Sequence, residues 1–83
     1  MARLLLLAFT LSGCTAVLAE REIARSEHTL VALDPQLSVY SRTLAHDRLA
    51  SAREEALQGN YRAAAEIAKQ AIDQAKAHAE PAR

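Results

Sequence analysis

Cys14 is the only thiol in this 83-residue chain, and a thiol can serve as disulfide partner, metal ligand, nucleophile or attachment point. A lone cysteine makes no intramolecular disulfide framework. His28, His46 and His78 lie far apart, with no pair at i, i+4 and no cysteine beside them, so they do not form a structural zinc site. They read as solvated histidines. Glu54 and Glu55 are adjacent, which on a helix points them about 100° apart; they cannot work as paired acids and read as part of a wet face near Arg53 and Arg62. Ser12 and Ser51 have no histidine–carboxylate arrangement near them in the sequence. Tyr61 could anchor a ligand in a helical groove or plug the packing after a turn. These residues predict no catalytic site, no metal site and no cofactor, and hence a protein that is not an enzyme.

Composition narrows the classes further. Ten basic residues balance ten acidic ones, so charge gives no reason to expect nucleic acid or an acidic substrate. Two glycines in the whole chain argue against phosphate loops, dinucleotide-binding turns and a turn-rich β fold. No small-molecule substrate is indicated.

The chain opens MARLLLLAFTLSGC: one basic residue, Arg3, then an uncharged run from Leu4 to Ser12, then Gly13 and the cysteine. As a helix that run reaches only ~13 Å at 1.5 Å per residue, against a hydrocarbon core of ~30 Å. It is too short to span and fits the core of a secretory signal. The alternative is a hydrophobic N-terminal helix packed on the rest of the chain.

Leu11-Ser12-Gly13-Cys14 resembles the lipobox of bacterial lipoproteins: an aliphatic residue, two small ones and an obligatory cysteine. The resemblance implies that the Cys14 sulfur receives a diacylglycerol, that the signal is cut after Gly13, and that the new amino group is then acylated. The other reading of Cys14 is a buried structural cysteine. One acyl chain gives only reversible membrane binding, and two or three give stable attachment. In a Gram-negative envelope, aspartate after the cysteine commonly retains a lipoprotein in the inner membrane. Thr15 stands there instead, which by resemblance favours the inner leaflet of the outer membrane.

From Cys14 onward, strong helix formers dominate and Gly59 is the one remaining glycine. There are 17 alanines against 15 larger Val, Ile, Leu and Tyr side chains. Two punctuation marks divide the stretch. Asp34-Pro35 reads as a helix start, with Asp34 as cap and Pro35 in the first turn. Gly59-Asn60 reads as a stop in the left-handed conformation followed by a new cap. The predicted helices are a short first one over Thr15–Leu33, a long one over Pro35–Gln58 and a last one over Tyr61–Ala79. The expected organisation is thus all-α: signal peptide 1–13, lipidated N-terminus and short helix 14–33, antiparallel helical hairpin 34–80, tail 81–83.

On the last helix Tyr61, Ala64, Ala68, Ala71 and Ala75 follow a 3, 4, 3, 4 spacing. On the second, Leu37, Tyr40 and Leu44 form one stripe, which Leu49, Ala52 and Ala56 continue after a five-residue step. The alanine seam is the expected interaction face, to be covered by the first segment, by a second copy or by another protein.

Ala56-Leu57-Gln58-Gly59-Asn60-Tyr61-Arg62-Ala63-Ala64 resembles the turn of a tetratricopeptide hairpin. Only one such turn is present, whereas solenoids need about three repeats. Pro35, Ala52-Arg53-Glu54-Glu55-Ala56-Leu57, Gly59-Asn60-Tyr61 and the alanines from Ala64 to Ala75, behind a lipobox, are also similar to a family of small alanine-rich helical lipoproteins. That family is known only as a domain of unknown function, sometimes found ahead of OmpA-like peptidoglycan-binding domains. No OmpA-like domain follows here, so peptidoglycan binding by that route is not expected.

The sequence therefore predicts a lipid-anchored periplasmic envelope protein acting as a helical interaction or structural module. Its expected partners are the membrane, through the anchor, and a protein or a second copy. The alternative is a small membrane-active lipoprotein of the lysis or entericidin sort. That class calls for a basic amphipathic helix, whereas the segment from Cys14 carries nine basic and ten acidic side chains.

Overall fold

A computed structural model of the chain describes residues 15–79. They are built from three helices, α1 (Ala2–Leu33), α2 (Val39–Leu57) and α3 (Tyr61–His78), with a 3-10 turn over Asp34–Gln36. The protein is all-α, and α2 and α3 form the antiparallel hairpin. The described part of α1, 15–33, covers the span expected for the first helix and matches the 19-residue α2 in length.

Each helix buries one stripe, and the three stripes share a rhythm. On α1 it is Ala19, Ile23, Ser26 and Leu30, on α2 Ala45, Leu49 and Ala52, and on α3 Ala64, Ala68, Ala71 and Ala75 with Ile72 beside them. Steps of 4, 3 and 4 residues keep a narrow seam on one helix face, the spacing that lets side chains of neighbouring helices interdigitate. α3 lies against both other helices, while α1 and α2 meet less closely. The central helix is therefore the one whose seam is almost all alanine, and small side chains allow the backbones on either side to come near.

The hairpin turn follows the sequence closely. Gly59 has φ +86°, the left-handed conformation that costs glycine nothing. The Asn60 N–H donates to the Glu55 carbonyl at 2.9 Å and the Gly59 N–H to the Ala56 carbonyl at 3.0 Å. That pair of bonds satisfies carbonyls that the last turn of a helix otherwise leaves without a partner.

The corner between α1 and α2 differs from the sequence reading. Asp34 is not the cap of α2, and the helix does not start at Pro35. Asp34-Pro35-Gln36 forms a single 3-10 turn, Leu37 and Ser38 are extended, and the cap is Ser38, whose hydroxyl accepts from the Ser41 N–H at 3.2 Å. The four-residue delay shifts the phase of the whole helix. Leu37 is buried from outside α2, while Tyr40 is 77% exposed and Leu44 lies at the surface. The buried position near that end is Ala45, one residue beyond Leu44, so Ala45-Leu49-Ala52 runs without a five-residue step.

Candidate functional site

Leu11, Ser12, Gly13 and Cys14 lie outside the described residues, as does the 81–83 tail. What is described is where the Cys14 end of the bundle sits. Thr15 shares the wall of one shallow groove with Glu55, Gly59, Asn60, Tyr61 and Arg62, so Thr15 of α1 and the α2–α3 turn lie at the same end of the described bundle. This follows from two reversals of direction: α1 runs opposite to α2 and alongside α3.

Asn60 serves this end differently from the sequence reading. Its side chain makes no capping bond to α3; the Nδ2 group donates to Glu55 Oε2 at 2.9 Å instead. The Asn60 carbonyl takes the Ala64 N–H at 2.9 Å. Glu55, half-buried, thus holds the turn with its side chain as well as its backbone, and Glu54 beside it is exposed.

A second groove of about 540 Å³ opens between α1 and α2. Ile23, Ala24, Ala56, Leu57 and Tyr61 supply its apolar wall, and Glu27 and Arg53 bridge its rim. Arg53 Nε donates to Glu27 Oε1 at 2.8 Å, and Arg53 Nη2 reaches the same oxygen. The neighbouring Glu27 carboxylate, by hydrogen bond and by charge, holds the Arg53 pKa above its ordinary value. Tyr61, half-buried, lines both grooves and closes the end of the bundle between them.

The expected interaction seam has to be corrected. Ala64, Ala68, Ala71 and Ala75 are all buried, covered by α1 on one side and α2 on the other. They are the core of this chain and offer no face to a partner. Of the three candidate covers, the first segment of the chain is the one in place.

The histidines stay apart: His28, His46 and His78 are all exposed, and His46 Nε2 lies 3.3 Å from Asp34 Oδ1. Among the described residues no three His, Cys, Asp or Glu side chains gather into a metal-ligating group. Ser51 is exposed. Among the described residues no helix is long and apolar enough to cross a membrane.

No family model, curated protein or solved structure matches the chain.

Three features escaped the sequence reading. Arg42 reaches back from α2 and donates through Nη2 to the carbonyls of Asp34 at 3.0 Å and Leu37 at 3.4 Å, tying down the α1–α2 corner. The stripe Ala19-Ile23-Ser26-Leu30 was visible in principle, since its 4, 3, 4 spacing equals that of α3. The third is the distribution of exposed apolar side chains. Val17, Leu18 and Leu57 stand at the Thr15 end, and Val31, Val39, Tyr40 and Leu44 toward the opposite end.

Proposed function

We propose that this chain is a lipid-anchored envelope protein, tethered through Cys14, whose helical bundle acts by contact with other proteins or as a structural element at the membrane surface. The observation that carries the reading is the tetrad Leu11-Ser12-Gly13-Cys14 behind Arg3 and the short uncharged run from Leu4 to Ser12.

The anchor supplies what the fold alone does not. Two or three acyl chains on one residue give stable attachment where one gives only reversible binding, and tethering raises the effective concentration of the bundle around membrane neighbours. Among the described residues the histidines and charge pairs lie at the surface and the core is mostly alanine, an arrangement suited to a structural or contact role. By its likeness to lipoproteins with Thr15 after the cysteine, the proposed location is the periplasmic leaflet of an outer membrane.

Metabolic labelling with a clickable palmitate tests the anchor in cells. The wild-type chain is expected to take the label and fractionate with membranes, and Cys14→Ala to lose both properties. Equal labelling of the two chains would remove the reading.

A further inference from the structure

We draw no further inference here: the strongest candidate, the groove of about 540 Å³ between α1 and α2, sets an apolar wall of Ile23, Leu57 and Tyr61 under a rim of mixed charge from Glu20, Glu27 and Arg53, and nothing in the structure shows what covers it.

Discussion

Gly59 is the residue on which the hairpin turns. Its φ of +86° is one that L side chains avoid, yet a Cβ placed there meets no atom within 4 Å. Any loss on substitution is therefore backbone strain and not a clash. The left-handed conformation costs an L-residue about 1–2 kcal/mol, and the stiffer unfolded chain returns about 0.4–1 kcal/mol of that. Strain wins, and β-branching adds to it. Gly59→Val should lower stability by about 1 kcal/mol, which lowers Tm by about 4–8 °C in a domain of this size. Thermal melting by circular dichroism measures it, and an unmoved midpoint would show that the turn does not need the positive φ. Arg53 gives the contrasting case. Its guanidinium is more than half exposed, and ion pairs of that kind contribute little. Because its pKa is raised, whatever the pair contributes is complete through the neutral range and is lost only as pH climbs toward deprotonation of the guanidinium. Arg53→Ala should leave the melting midpoint unchanged between pH 5 and 9, and a pH-dependent loss in that window would mean that Glu27 carries more than a surface pair.

At the scale of the elements, alanine is the residue that determines how the helices meet. Ala64 and Ala68 are fully covered, and the seam they begin is flanked by backbone on both sides. Ala68→Leu should cost about 1–3 kcal/mol by overpacking, and Leu30→Ala, which empties the largest fully buried side chain, about 2–5 kcal/mol. Urea titration of the two variants compares them; an Ala68→Leu chain as stable as the wild type would place α3 at the rim of the bundle rather than its centre. The same alanines explain how far the sequence could be read. The Gly59-Asn60 turn, the end of α1 before Asp34-Pro35 and the α3 stripe were all legible, because a φ requirement, a missing N–H and a 3.6-residue period each act locally. The phase of α2 was not. Ranking side chains by hydrophobicity favours Tyr40 and Leu44 over Ala45, but where helix backbones approach closely the smallest apolar side chain is the one that fits inside. The Ser38 cap was hidden in the same way, since Asp34 beside a proline is the stronger local signal until Arg42 and the 3-10 turn fix the corner.

For the molecule as a whole, topology supplies what no single stretch contains. The tetrad Leu11-Ser12-Gly13-Cys14 could be read residue by residue. That Thr15 would lie beside Gly59 could not, because it depends on α1 covering the α3 seam. The same packing turned the expected docking face into core, leaving the bundle two distinct ends: one at Thr15 with Val17, Leu18 and Leu57, the other about 25 Å away with Tyr40 and Leu44. Among the described residues the α3 seam is covered by α1 and α2 of the same chain. Intact mass spectrometry of the protein recovered from membranes tests the proposed lipid on Cys14 most directly. The account predicts a chain beginning at Cys14 and heavier than its residues by a diacylglycerol and one further acyl group. An unmodified chain still carrying Met1, or one cut at another residue, would contradict it.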